Sequence, residues 1–461
     1  MSTTLSGESR GFLRRLIPPT PLSRSLATQS MLFSTGEGAF NTGSAVFLTQ
    51  VVGMTAARVG LALTIVGIAE FLFAYPAGRI VDRLGPKRMW SSSTVGRAAC
   101  FCVLPFVDGF GQYVAVGIAF AAFGSIGGAS HGAYVLDVLP ADQRVEVRAY
   151  MYSWLNLGFT AGAAIGGIAL ATGSLTVLRW TPFFAAGLML ANSFWVTRLP
   201  DAPHDLAVAS GARRARPTGP GPVANRGWLL VTFFTGVMWT NQVLLNVVIP
   251  LWLVEATDAP HVLLAWLFGT NTVLCIFLPA YTSRGVHDLK DAMRYVRYST
   301  VFFVGSCLIT MVTHSTVGLI TILLVWLGHV TVTGAELAIS GATWAFEAEL
   351  MDPDRRGEYQ GVGEVSRALG SQWAPWLFTA LALNVEGGLG WLVIAAIIAA
   401  ATLGMGPSVR LAERFRDEHF PQLLAERVTP EPPVGQEVSR APGAPVSPAP
   451  VVEAADAASD A

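Results

Sequence analysis

The chain has 461 residues, of which 52% are hydrophobic and 13% charged, with a mean hydropathy of +0.50; a soluble domain carries about 25% charge, so a soluble multidomain protein is excluded and a lipid bilayer is implied. A formal charge of -1 leaves no basic field for nucleic acid. The four cysteines, Cys100, Cys102, Cys275 and Cys307, lie in apolar runs without a neighbouring His, which excludes a disulfide framework and a zinc ribbon, so no metal and no cofactor is expected.

A bilayer core requires roughly 20 apolar residues per helix, and twelve such stretches follow one another: residues 27–52, 57–80, 89–107, 112–138, 147–172, 178–197, 228–254, 261–283, 296–314, 317–346, 358–383 and 388–408. An all-α integral membrane protein with twelve transmembrane helices is predicted. The segment before them, 1–26, contains Arg14 and Arg15, but prolines 18, 19 and 21 follow instead of an apolar core, so no cleaved export signal is expected. With the N-terminus inside, 26 of the 30 Lys and Arg residues fall in inside segments, Arg58 and Arg179 fall outside, and Arg97 and Arg367 lie within spans. Both termini and the loop between spans six and seven are therefore expected on the cytoplasmic side of the cell membrane. An ionisable side chain at mid-span costs at least about 2.5–3.5 kcal/mol, so each calls for a partner or a cavity. In the first span this is Glu37, with Asn41 one turn further on the same face; in the second it is Glu70.

At the end of the second span stands Gly78-Arg79-Ile80-Val81-Asp82-Arg83-Leu84-Gly85-Pro86-Lys87-Arg88. Gly78 permits close helix contact, Gly85 turns the chain, and Lys87 and Arg88 fit an inside loop. The segment resembles the signature of the major facilitator superfamily between its second and third helices. The resemblance in motif, span count and central linker covers about residues 25–410 and implies two six-helix halves, 27–197 and 228–408, working by alternating access. It further implies that Asp82 faces the amides opening the eleventh helix, that Arg83 reaches an acid at the end of the fourth, which Asp137 fits, and that the first, fourth, seventh and tenth helices line the cavity.

The third span carries Arg97, which is either a structural partner for Glu70 or part of a proton pathway, and the fourth carries His131, which is either satisfied near the interface or functional. The fifth has Gly158, Gly162, Gly166 and Gly167, a stripe of small residues suited to close helix approach. Gly162-Ala163-Ala164-Ile165-Gly166-Gly167 is similar to the Gly-Pro-x-x-Gly-Gly element of the family's proton-coupled exporters, with Ala163 where they have proline. Residues 198–227, rich in Ala, Pro, Gly and Arg, read as a linker. The seventh span offers Trp239, Gln242 and Asn246 as a polar stripe, the tenth Glu336, and the eleventh Glu364 and Arg367, which either neutralise each other three residues apart or take part in coupling. Residues 409–461 form a tail of Pro, Val, Ala, Glu and Asp that is expected to be disordered.

An offset of 203 residues lays Pro76 on Pro279 and Lys87 on Lys290, and an offset of 212 lays Arg144 on Arg356, Glu146 on Glu358 and Gly158 on Gly370. Charged loop positions recurring in register indicate duplication. No phosphate-binding Gly-x-x-x-x-Gly-Lys-Ser/Thr, His-Glu-x-x-His or Gly-x-Ser-x-Gly motif occurs, so neither ATP-driven transport nor an enzyme is expected. The residues and the resemblance together predict a monomeric secondary transporter taking a small molecule and protons. Efflux of a drug-like compound by antiport, with antibiotic resistance as its outcome, leads; uptake of a nutrient, a transport-dead receptor and a membrane enzyme are the alternatives. Glu37 and Glu336 lead as proton carriers, Glu37 first.

Overall fold

The computed structural model describes residues 17–211 and 219–420. The arginines at 10, 14 and 15, those at 213, 214 and 216, and the tail from residue 421 lie outside the described residues. All regular secondary structure among the described residues is helical.

Local chemistry sets the helix ends. Thr20 and Ser23 form a reciprocal capping box with Pro21 in the first turn, so α1 (Pro21–Val46) starts there and runs into a π-helical turn, Phe47–Val51. Thr55 caps α2 (Ala56–Leu84). Gly85 ends it at φ +93°, a left-handed conformation that glycine adopts without a Cβ penalty, and Pro86 then opens α3 (Pro86–Val103). There follow α4 (Phe110–Val138), α5 (Arg144–Ala171) and α6 (Leu175–Thr197). The expected linker contains a short helix, α7 (Pro203–Ala209).

The seventh expected span is not one rod. It consists of α8 (Arg226–Met238), a short helical turn at Asn241–Val243, a π-helical turn at Leu244–Val248 and α9 (Ile249–Ala256). Likewise α10 (Leu263–Phe277) is bent by 45° from the stretch holding α11 (Pro279–Thr282), where Pro279 lacks an amide to donate. The last helices are α12 (Leu289–Val312), α13 (Leu319–Leu350), α14 (Arg356–Asn384) and α15 (Gly390–His419).

Among the described residues, seven helical stretches are long and apolar enough to cross a membrane, and the bent α10–α11 pair, taken as one span, makes an eighth. Among the other long helices, α1, α3 and α14 carry the charges Glu37, Arg97, Glu364 and Arg367. Large apolar side chains such as Ile168, Trp376 and Leu403 stand exposed, at 69%, 76% and 80%. Water would penalise such a surface; the hydrocarbon of a bilayer does not. The chain is a multi-pass membrane protein.

Packing is densest where small residues let backbones meet. On α5, Gly158, Gly162 and Gly166 abut the backbone of α1 at Met31, Thr35 and Ala39, and an added Cβ would strike each. Gly167 faces open space, so it does not belong to the packing stripe. One apolar core gathers Phe47, Phe101 and Met189; another gathers Trp252, Phe303, Phe378 and Trp391.

Candidate functional site

A chain of charges crosses the middle of the bundle. Arg97 (α3) pairs with Glu37 (α1) at 2.5 Å, its guanidinium lying over the rings of Phe120 and Phe33. The sequence offered Arg97 as a structural partner for Glu70; the ion pair goes to Glu37, because the rings of Phe33 and Phe120 steer the guanidinium toward α1. Glu70 (α2) faces the like charge of Glu364 as well as the positive charge of Arg97. Glu364 and Arg367 pair within α14 at 2.5 Å. Arg367 in turn acts on Glu347 of α13, which is ion-paired with Arg148 of α5 and accepts a hydrogen bond from Gln360 Nε2 at 3.1 Å. The sequence thus contributes four carboxylates and three guanidiniums to one network, and Glu70 is the carboxylate with no ion pair recorded among the described residues. His131 lies in the field of the Arg148–Glu347 pair, its ring against Trp90 at 4.8 Å and its Nε2 buried without a hydrogen bond.

Glu336 sits apart. It is 4% exposed, and its carboxylate accepts hydrogen bonds from Tyr152 Oη of α5 at 2.5 Å and Asn271 Nδ2 of α10 at 3.0 Å. All its recorded side-chain partners are neutral. It belongs to a seam on α13 that spacing alone did not single out: His329, Thr333, Glu336, Ser340, Thr343 and Glu347, separated by four, three, four, three and four residues, all buried. The eighteen helical steps from His329 to Glu347 make that seam about 27 Å long, close to the thickness of a bilayer core. Thr333 Oγ1 accepts from Asn271 Nδ2 at 3.0 Å, and both ring nitrogens of His329 are buried without a hydrogen-bond partner. The alternation of three and four is visible in the sequence, but Ser and Thr at such positions are ordinary helix content.

The expected polar stripe on the seventh span is divided by the break. Trp239 donates from Nε1 to Thr343 Oγ1 at 3.2 Å and lines a pocket with Thr235, Glu347 and Arg367. Gln242 and Asn246 bond to each other instead, Asn246 Nδ2 donating to Gln242 O at 2.8 Å, and Asn41 is exposed one turn beyond Glu37.

At one end of the bundle, called here the motif end, Asp82 Oδ1 and Oδ2 accept from the amides of Gly357 and Glu358 at 2.8 and 2.9 Å. These are first-turn donors of α14, unsatisfied within the helix and carrying partial positive charge. Gly78 lies on the Gly357 backbone so closely that a Cβ has no room. Asp137 does not take Arg83 as expected: its Oδ1 accepts from Arg356 Nη1 at 2.5 Å and its Oδ2 from the amide of His204 at 2.8 Å. Arg356 opens α14 directly opposite, whereas Arg83, like Arg88, is exposed. Arg79 reaches Glu358 at 3.5 Å, and Lys87 pairs with Asp201 at 2.7 Å. Asp205 Oδ1 accepts from the Lys87 amide at 3.1 Å; burial, opposed by this bond, pushes its carboxyl up to about 6.

Sequence reasoning passed over Glu347 because the expected tenth span ended at 346, and Arg148 because, as second residue of the expected fifth span, it was counted with the inside-loop charges. The helices run to Arg144 and Leu350, so residues taken for loop charges are inside the bundle. Tyr152, Asn271 and His204 carried no signal of charge or spacing.

The family model described as Major Facilitator Superfamily matches residues 26–375. The tetracycline resistance protein, class C, of Escherichia coli is 23% identical over 356 residues, covering 74% of this chain and 85% of that protein. Among solved structures, the major facilitator transporter FucP in its outward conformation superposes with a TM-score of 0.64 at 14% identity, over 87% of this chain and 99% of that one. A bacterial homologue of the iron transporter ferroportin, outward-facing, gives 0.63 at 14% identity, over 84% and 99%.

Proposed function

The chain belongs to the Major Facilitator Superfamily, and from that premise we propose that this transporter expels a drug-like organic compound in exchange for protons. The observation that carries the reading is Glu336: a carboxylate buried among neutral partners, Tyr152 and Asn271, loses its charge only by taking up a proton. Glu70, in excess over the guanidiniums of the charged network, is the second carrier. Glu37, neutralised by Arg97, holds structure. Export of an aromatic, amphiphilic compound is favoured by Trp239 and its neighbouring pocket and by the similarity to a tetracycline resistance protein.

The same reading gives the chain twelve spans in two halves, 27–197 and 228–408, with the motif end, the termini and the linker in the cytoplasm. Matching neighbours support a repeat: α1 packs on α5 as α8 packs on α14, α2 on α4 as α10 on α13, and α3 on α6 as α12 on α15. Gly158 meets Met31 of α1, and Gly370 meets Gly236 of α8. Asp82 and Asp137 then latch the cytoplasmic side shut.

Inside-out vesicles with an acidic lumen test the function, with tetracycline as first probe and a compound panel on a deletion strain to widen it. Wild type should accumulate the compound. Glu336→Gln keeps a hydrogen-bonding side chain but cannot titrate, so it should lose uphill accumulation and retain downhill exchange. A sodium requirement, or full accumulation by Glu336→Gln, overturns proton antiport.

A further inference from the structure

The polar segment after α6 sits against the gate. Tyr134 Oη of α4 donates to Pro200 O at 2.7 Å, and Asp201 pairs with Lys87 Nζ. His204 is 6% exposed, and it makes two contacts with the latch. Its amide donates to Asp137 Oδ2, while its ring Nε2 stands 2.8 Å from the backbone carbonyl of Asp82, a contact that requires the proton on Nε2. Asp205 fills the space that glycine leaves at position 85, where an added Cβ would come within 2.7 Å of Oδ1.

These contacts orient the acids that cross to α14. A carboxylate has two oxygens. With Oδ2 of Asp137 held by the linker, Oδ1 is directed at Arg356. Asp82 is held at its backbone: its carbonyl meets His204, which fixes the end of α2 from which the carboxylate reaches the Gly357 and Glu358 amides. The other described end of the linker touches the opposite side of the gate, where Gly219 O accepts from Arg355 Nη2 at 2.7 Å.

We propose that His204, with Asp201 and Asp205, is a positioning element of the gate: the linker presets Asp82 and Asp137 for α14 and thereby biases which face of the transporter is open. Resting on the latch reading above, it makes the linker a working part of the alternating-access cycle. A tether would need neither a buried histidine nor contacts to both acids; it would only need length.

The test uses the full-length protein in lipid nanodiscs, with spin labels on cysteines introduced at Ser92 of α3 and Lys290 of α12 and with Cys102 replaced by serine. The label distance separates closed from open motif ends without any substrate. Asp82→Asn should enlarge the open population. His204→Ala removes one buried hydrogen bond and should raise the open-to-closed ratio about fivefold. His204→Gln, whose amide can donate to the same carbonyl, should restore the closed population. Combining His204→Ala with Asp82→Asn should add little, since both act on one latch.

If Asp82→Asn opens the gate while His204→Ala and His204→Gln both match wild type, the positioning role is overturned and the latch survives. If Asp82→Asn also leaves the distances unchanged, the latch reading falls and takes the proposal with it. Where His204→Ala folds poorly, His204→Met, which fills the site but has no donor, takes its place: it must enlarge the open population, and wild-type distances in this variant overturn the proposal.

Discussion

Gly85 does two things at one position: it adopts φ +93° and makes room for the Asp205 carboxylate. Gly85→Ala should therefore cost about 1–2 kcal/mol in backbone strain alone, and more if Asp205 is displaced, read as a lowered melting temperature in detergent. Asp205 itself makes the linker contact pH-sensitive. Its carboxyl is raised to about 6 from 3.8, chiefly by burial, with the charges of Asp137 and Asp201 adding to it. A raised acid stabilises the fold below the unfolded value and loses that contribution as pH rises through the folded one. Asp205→Asn should accordingly gain thermal stability over wild type at pH 7.5, with the gain shrinking toward pH 5. A gain that is equal at both values would show that ionisation is not the cause. Glu37 and Glu70 should separate as well: Glu37→Gln strands the Arg97 guanidinium, a loss of order 3 kcal/mol in a part-buried site, whereas Glu70→Gln relieves like-charge repulsion from Glu364. Purified yield and melting temperature should fall for the first and hold for the second.

At the scale of helices, the contact between α1 and α5 rests on three glycines, and the fourth is a control supplied by the fold. Gly162→Ala places a methyl group against the Thr35 carbonyl and should force the helices apart, lowering stability by about 1–3 kcal/mol; Gly167→Ala meets open space and should change little. This stripe was legible because glycine at every fourth position has few other uses in a membrane helix. The motif at residues 78–88 was legible for a similar reason, since neither its glycines nor Asp82 is explained by a basic loop. Other parts were hidden. Apolar windows place helix ends only to a few residues: an error of that size left Glu347 outside its span, and Arg148, at the very edge of another, was read as a loop charge. Partners also come from helices far apart in sequence: Arg97 has the charges of Glu70 and Glu37 near it, and its ion pair with Glu37 appears only once the guanidinium is placed over the Phe33 and Phe120 rings. The irregular stretch of the seventh span has no Gly or Pro between Trp239 and Val248, but Pro250 just beyond it has no amide to donate to the Asn246 carbonyl, so a breaker was present one turn downstream.

Across the whole molecule, the latch at the motif end joins α2 and α4 to α14 through Asp82 and Asp137. On the proposed latch, Asp82→Asn should impair turnover more than substrate binding, because the side chain would bias a conformational equilibrium without touching cargo; binding to purified protein and flux in vesicles should diverge. Equal loss of both in a well-folded variant would contradict that role. The unequal tally of four carboxylates and three guanidiniums reaches further, into electricity. A proton that settles on the surplus carboxylate on one side of the bilayer and departs on the other takes its charge along. Under the proposed proton antiport of an uncharged compound, membrane voltage would then do work on each turnover, about 2.3 kcal/mol per elementary charge at 100 mV. Proteoliposomes adsorbed on an electrode should give a transient current when the compound is added, and Glu70→Gln should diminish it.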